Sequence, residues 1–431
     1  MTAIQTPAQP VMSARRIFMI AGFGTALEFY DFTVYGLAAA LIFPKLFFPG
    51  FDPLVGTIIA FAAFGSGFLA RPLGGIVFGH FGDKYSRRTV LITTLGIMGA
   101  STFLIGCLPS YQTLGVAAPI LLVLLRLLQG FSAGGEWGGA SLTGVENAPE
   151  KRRGLYGSFT SMGIGLGSLL GSGVFALLTL LPQDLLFSYG WRVAFWLGGA
   201  LVIVGLFARR SIPEEKPSAA PTQGAPLVEA LRKHPRQILL AIGVAYGYNT
   251  IAYIGSIFTV TYAEQRDYSP TISMLFQVIG AAVFVISAPV MGALSDRYGR
   301  KRIVGWGTAI YTGIFFLFFP MVDAHIGWLV VLAYALLNIF MAAPQGCIPA
   351  FLSEQFPRKT RMSSISTTYQ TGAALGGGTA ATAAAALFAA MGGNPLGVGL
   401  YSAFAALVLV LCTAGLRETS KVRTGDLGLK N

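Results

Sequence analysis

The chain has 431 residues, of which 54% are hydrophobic and only 11% charged. Soluble domains carry about a quarter of charged residues, so a soluble globule is excluded. The formal net charge of +12 suggests a nucleic-acid surface, but Lys and Arg gather in alternate loops between apolar segments, which argues against that reading too.

Twelve windows are long and apolar enough to span a bilayer: 17–41, 54–79, 89–107, 117–145, 155–181, 191–208, 237–263, 270–294, 303–322, 327–351, 363–390 and 397–415. The fold class expected is therefore an all-α membrane protein. Residues 1–16 are polar and lead straight into a full-length span, so no cleavable signal is expected. The first span carries Glu28 and Asp31, three apart and on one helix face. The second carries Arg71 in Ala70-Arg71-Pro72-Leu73-Gly74-Gly75, where Pro72 weakens the helix and frees carbonyls. Gly79-His80-Phe81-Gly82-Asp83-Lys84-Tyr85-Ser86-Arg87-Arg88 then reads as a charged hairpin. The fourth span holds Arg126, Gln129 and Glu136, and is followed by Glu146-Asn147-Ala148-Pro149-Glu150-Lys151-Arg152-Arg153. After the sixth span, residues 209–236 have the Pro, Ala and charge content of a linker, within which 227–233 can form a short surface helix.

Beyond the linker, Tyr246, Asn249 and Tyr253 share a face of the seventh span, and Asn338 and Gln345 a face of the tenth. Gln277, Tyr369 and Gln370 lie in the eighth and eleventh. The charged hairpin recurs as Gly292-Ala293-Leu294-Ser295-Asp296-Arg297-Tyr298-Gly299-Arg300-Lys301. The acid–proline–base octet recurs as Glu354-Gln355-Phe356-Pro357-Arg358-Lys359-Thr360-Arg361. Both recur at equivalent places, after the second and fourth spans of each half. The expected organisation is two six-helix halves, 1–208 and 237–416, joined by the 209–236 linker and followed by a tail, 417–431. Repeats of this kind are related by an axis along the membrane normal and build a site between them.

Five charged residues fall deep within the first half: Glu28, Asp31, Arg71, Arg126 and Glu136. At 1.5 Å rise per residue each lies roughly 12–21 Å from one end of its span, near the middle of a hydrocarbon core about 30 Å thick. Each costs roughly 2.5–3.5 kcal/mol on insertion scales, and the default reason to keep such charges is a substrate or ion path. Arg71 fits an anionic substrate, because a guanidinium meets a carboxylate with two parallel hydrogen bonds. Arg126 is equally well explained as a partner of Glu136 or Glu28 that holds the bundle together. A carboxyl group in so dry a place holds a proton more readily than in water. Asp31 and Glu28 are therefore the foremost proton carriers and Glu136 the third, undivided by sequence. The second half has only polar and aromatic residues at this depth. Ordinary interhelical hydrogen bonds, roughly 0.6 kcal/mol each, explain those more readily than a ligand does.

The basic loops 13–16, 84–88, 151–153, 209–236, 297–302, 358–361 and the tail place both termini in the cytoplasm, whereas the other loops hold only Lys45, Arg192 and Arg266. Cys107, Cys347 and Cys412 lie in apolar segments without paired spacing, so neither disulfide nor metal site is expected. His80, His234 and His325 are far apart at loops or helix ends, and no catalytic set accompanies them, so an enzyme is not expected.

The doubled Gly-x-x-x-Asp-(Arg/Lys)-x-x-Arg-(Arg/Lys) loop and Arg126-Leu127-Leu128-Gln129-Gly130 resemble signatures of the major facilitator superfamily. Glu28-Phe29-Tyr30-Asp31-Phe32, Phe68 to Gly75, Phe78 to Asp83 and Gly134-Gly135-Glu136-Trp137-Gly138-Gly139-Ala140 resemble its metabolite:H+ symporter family, which includes shikimate, α-ketoglutarate, citrate, aromatic-acid and proline/betaine transporters. Ser86 stands where the first loop usually has glycine, and Phe29 where many relatives have Trp. The short tail lacks the heptads of osmosensing betaine transporters, and the second to fourth spans look closest to the shikimate-like branch.

The resemblance implies a proton-driven importer of a small organic acid, without cofactor, acting as a monomer in the bacterial inner membrane. Expected substrate contacts are Arg71, Tyr30, Arg126 and Trp137 in the first half and Asn249, Tyr253 and Gln345 in the second. Asp83 is expected at the N-terminus of the eleventh segment and Asp296 at that of the fifth, where a helix dipole favours an acid. With Arg87, Arg88, Arg300, Glu146 and Glu354 they are expected to form a cytoplasmic gate. Zwitterion import and drug efflux use the same fold. A polytopic enzyme or a receptor is a more distant alternative.

Overall fold

The computed structural model describes residues 13–51, 53–84, 87–210 and 226–428. Twelve of its helices are long and apolar enough to span a membrane. They are α1 (Ala14–Ala39), α2 (Ile59–Lys84), α3 (Arg88–Cys107), α4 (Ala117–Glu146), α5 (Glu150–Leu178), α6 (Gln183–Phe207), α7 (Pro235–Glu264), α8 (Ile272–Tyr298), α9 (Arg300–Asp323), α10 (Gly327–Glu354), α11 (Arg358–Ala390) and α12 (Leu396–Gly415). Among the described residues there is no strand. A short helix, Pro226–Lys233, precedes α7.

Side-chain polarity is arranged for lipid. On α2, Leu69 and Leu73 are 74% and 61% exposed while Arg71 between them is 6% exposed. Apolar side chains face outward and charge faces inward, the reverse of a soluble helix and the arrangement hydrocarbon demands.

The same packing pattern occurs twice. α1 packs on α5, α2 on α4 and α3 on α6; in the second half α7 packs on α11, α8 on α10 and α9 on α12. The halves meet along two equivalent seams, α2 against α11 and α5 against α8. Within the first half α2 and α4 come so close at Gly130 that a Cβ there would enter the backbone of Gly67. This seam sets Arg71 and Arg126 side by side.

The charged hairpins are corrected by the structure. Helix continues through Gly79–Lys84 and resumes at Arg87. Nothing from Gly79 to Lys84 forbids helix, so the apolar segment and most of the charged motif are one element. In the second copy the whole connection is Gly299, at φ 103°, a backbone state open to glycine and strained for other residues. Glu418 from the tail then accepts the Arg300 and Lys301 backbone N–H groups at 3.0 and 2.9 Å, capping α9. Burial alone would raise the Glu418 pKa, but these and the Ser420 backbone donor lower it below the usual carboxylate value.

Candidate functional site

The buried charges of α1, α2 and α4 meet in a narrow cleft lined by Glu28, Asp31, Phe32, Gly67, Arg71, Met98, Arg126, Gln129, Gly130 and Ala133. Two guanidiniums lie against the ring of Phe32, with Arg71 at 5.1 Å and Arg126 at 4.9 Å from its centroid. Phe68 supports Arg71 at 5.0 Å, while Tyr35 and Phe64 support Arg126 at 4.4 and 4.7 Å. Such aromatic faces attract cations and shed water more readily than polar side chains. Arg71 Nη2 lies 3.3 Å from Glu28 Oε1. Arg126 donates to the Phe64 carbonyl and, through Nη1, to Gln129 Oε1 at 3.1 Å. Gln129 Nε2 donates to Asp31 Oδ2 at 3.0 Å, and the Thr102 hydroxyl donates to that same oxygen. Asp31 Oδ1 is buried with no hydrogen-bond partner among the described residues. The second half closes over this cluster through Tyr253, whose ring lies 5.6 Å from Phe68 and 6.5 Å from Phe32.

At the end of the bundle that carries the repeated motifs, the halves are tied together. Asp83 of α2 accepts the Met362 and Ser363 N–H groups at 2.9 and 2.7 Å, where the α-helical part of α11 begins at Arg361. Asp296 of α8 accepts the Gly154 and Leu155 N–H groups at 2.8 and 3.0 Å, where the α-helical part of α5 begins at Arg153. Each acid meets free donors and the positive end of a helix from the opposite half. The octets exchange partners in the same way. Arg153 Nε reaches Glu354 at 2.8 Å, and Arg361 Nη1 reaches Glu146 at 2.7 Å, so the last residue of each octet pairs with the first residue of the other. Arg300 joins the buried cluster through Asp296 at 2.7 Å and Glu354 at 3.2 Å. Two Arg and two acids there balance, which buried ions require. The tail straps this end: Arg153 Nη2 donates to the Thr419 and Val422 carbonyls, and the Thr424 N–H donates to Glu150.

The profile of the Major Facilitator Superfamily matches residues 21–381 and 240–428. The chain belongs to the Major Facilitator Superfamily. It is 37% identical over 420 residues to a protein named shikimate transporter from Escherichia coli (strain K12), with 95% of each chain covered. It is 38% identical over 416 residues to the inner membrane metabolite transport protein YhjE of the same organism, covering 93% of this chain and 94% of that one. Among solved structures, the proton:xylose symporter XylE bound to 6-bromo-6-deoxy-D-glucose shares the fold, with a TM-score of 0.74 at 18% identity over 94% of this chain and 96% of that one.

Within this superfamily fold several expected site residues fall elsewhere. The Tyr30 hydroxyl donates to the Ala194 carbonyl of α6 at 2.9 Å, which turns the ring away from the cleft. One helical turn cannot present Tyr30 and Phe32 to the same neighbour, and Phe32 takes the central face. Trp137 is outside the cleft, stacked on Tyr369 of α11 with centroids 3.4 Å apart, nearer the latched end. Glu136 is also outside it and accepts from Thr94 of α3 at 3.0 Å. Asn249 turns an amide donor back to the Ala245 carbonyl of its own helix. Gln345 meets α5 through its main-chain carbonyl, which accepts from Ser161. Arg88 is half-buried at the start of α3, and the Arg87 side chain lies outside the described residues. Arg153 and Arg361 were not singled out from sequence, although each ends its octet at an equivalent position. Nothing in the tail's composition marked it as a strap.

Proposed function

We propose that this chain is a symporter that imports a small organic acid together with a proton by rocking its two halves about the central cleft. The observation that carries the reading is the charge balance of that cleft. Arg71 and Arg126 face Glu28 and Asp31 in one buried cluster, so the site is neutral when both acids are ionised. A substrate carboxylate entering it adds one negative charge in a medium that penalises net charge. One proton taken up with it restores neutrality. Arg71 is the substrate's first contact, because its bond to Glu28 at 3.3 Å is long for a guanidinium–carboxylate pair and leaves donors for a bidentate grip. Asp31 is the favoured proton carrier, since it accepts from the neutral Thr102 and Gln129 while Glu28 pairs with the Arg71 guanidinium. Tyr253 supplies the facing wall from the second half.

The basic loops support a latched end on the cytoplasmic side of a bacterial inner membrane, with both termini cytoplasmic. Asp83, Asp296, Arg300, Glu146 and Glu354, with Arg153 and Arg361, form the gate at that end. One chain holds the whole site, and a monomer suffices. The likeness to the shikimate transporter supports a carboxylate as cargo.

The test is uptake by proteoliposomes under an inward proton gradient, with shikimate, α-ketoglutarate, citrate and benzoate as probes. The wild-type protein is expected to accumulate at least one of them, and Arg71→Ala to accumulate none while remaining folded by circular dichroism. Normal accumulation by Arg71→Ala would remove the substrate role from this residue.

A further inference from the structure

We propose that Gln129 is the positioning residue that couples the proton to the substrate, its amide linking occupancy of Arg126 to protonation of Asp31. This rests on the symport reading above.

The amide stands between a buried cation and a buried anion, with each end turned to the charge it suits. Its carbonyl accepts from Arg126 Nη1 at 3.1 Å. Its NH2 group donates to Asp31 Oδ2 at 3.0 Å and to Thr102 Oγ1 at 2.8 Å. None of Asp31, Thr102, Arg126 and Gln129 is more than 4% exposed, so water does not stand in for these bonds. Hydrogen bonds in series polarise one another where the local dielectric is low. A carboxylate at Asp31 therefore makes Gln129 Oε1 a better acceptor for Arg126.

Protonation of Asp31 removes that pull. Arg126 is left with a weaker amide acceptor, the Phe64 carbonyl and the faces of Phe32, Tyr35 and Phe64. The anion it then lacks is the carboxylate of the substrate, which Arg71 receives first and which Arg126, on the same Phe32 ring, then shares. In the other order, a carboxylate on Arg126 screens its charge from Asp31 across the amide, and Asp31 binds a proton more readily. Each ligand favours the other by the same factor.

The other groups around Asp31 do not provide this link. Glu28 and Tyr30 share its helix; Glu28 is held by Arg71 of α2, and Tyr30 is bonded to α6. Against Asp31, α3 offers the Thr102 hydroxyl and α6 offers Gly198, neither of which titrates. Among the described residues, Arg126 is the cation joined to Asp31 by a hydrogen-bonded path.

The experiment measures the affinity of purified protein for shikimate and for benzoate, both ionised between about pH 6 and 8. For one linked proton the wild-type affinity is expected to fall by up to about tenfold per pH unit as Asp31 loses its proton. Gln129→Met, of similar size and without the amide, is expected to keep only the charge coupling that acts through space and to change less than about threefold per pH unit. Asp31→Asn is expected to be flat. A wild-type profile in Gln129→Met with a flat Asp31→Asn overturns the relay and leaves the symport reading standing. A wild-type profile in Asp31→Asn overturns the symport reading at Asp31 itself. Should Gln129→Met not fold, Gln129→Asn keeps the amide but is one methylene too short to bridge both groups; a profile flattened to less than about threefold per pH unit there supports the relay, and a wild-type profile overturns it.

Discussion

Replacing Asp296 with Asn should loosen the latched end of the molecule. Asp296 Oδ1 accepts from Gly154 N–H at 2.8 Å and from Arg300 at 2.7 Å, and Oδ2 accepts from Leu155 N–H at 3.0 Å. Asn keeps one acceptor, loses the charge and turns an NH2 group toward a donor. A hydrogen bond to a charged group contributes about 1.5–3 kcal/mol and the helix N-terminus somewhat less, so the closed state should lose about 2 kcal/mol. That is about thirtyfold in the ratio of open to closed forms. The readout is a cysteine at Ser363, which is fully buried at the other seam between the halves, in a protein whose Cys107, Cys347 and Cys412 have been replaced. With opening rare and fast, the rate of maleimide labelling follows the open fraction, and Asp296→Asn should raise it about thirtyfold. An unchanged rate would show that Asp296 does not hold the end shut.

Ending the chain after Arg417 removes the α9 cap and the carbonyls that hold Arg153; breaking a buried charged cluster costs about 3–5 kcal/mol, so labelling at Ser363→Cys should rise more than about tenfold. Tyr30→Phe should lower stability by about 1 kcal/mol through the lost bond to Ala194 and leave uptake KM within about twofold; a large rise in KM would return Tyr30 to the site. Phe32→Leu removes the ring that both guanidiniums share and should raise KM about fivefold, corresponding to about 1 kcal/mol of cation–π attraction in the bound state. Gly130→Leu forces a side chain into the Gly67 backbone and should cost about 3 kcal/mol or more, read as a lowered melting temperature of detergent-solubilised protein.

Much of the architecture was readable from the chain because hydrocarbon imposes one-dimensional rules. Twelve apolar runs and the repeated motifs specify twelve helices, and depth counting brings Glu28, Asp31, Arg71 and Arg126 to one level. What spacing does not encode is which side of a helix turns to which neighbour. Glu28 and Asp31 share a face, yet Glu28 meets Arg71 of α2 while Asp31 meets Thr102 of α3 and Gln129 of α4. Tyr30 and Phe32 are two residues apart and part company for the same reason. The octets were visible as repeats, but the exchange of Glu146 with Arg361 and of Glu354 with Arg153 is a property of two halves placed together. The strap was hidden more deeply, because Arg153 is held by backbone carbonyls of Thr419 and Val422, which any sequence supplies.

The central claim is that a carboxylate and a proton enter this cleft together. Its most direct measurement is the external pH of a lightly buffered suspension of proteoliposomes, without an imposed gradient, when shikimate or another carboxylate found to be accumulated is added. The charge balance among Arg71, Arg126, Glu28 and Asp31 predicts an alkaline shift that follows uptake, is abolished by a proton ionophore and is absent in Asp31→Asn. Uptake of the acid with no movement of external pH would contradict it.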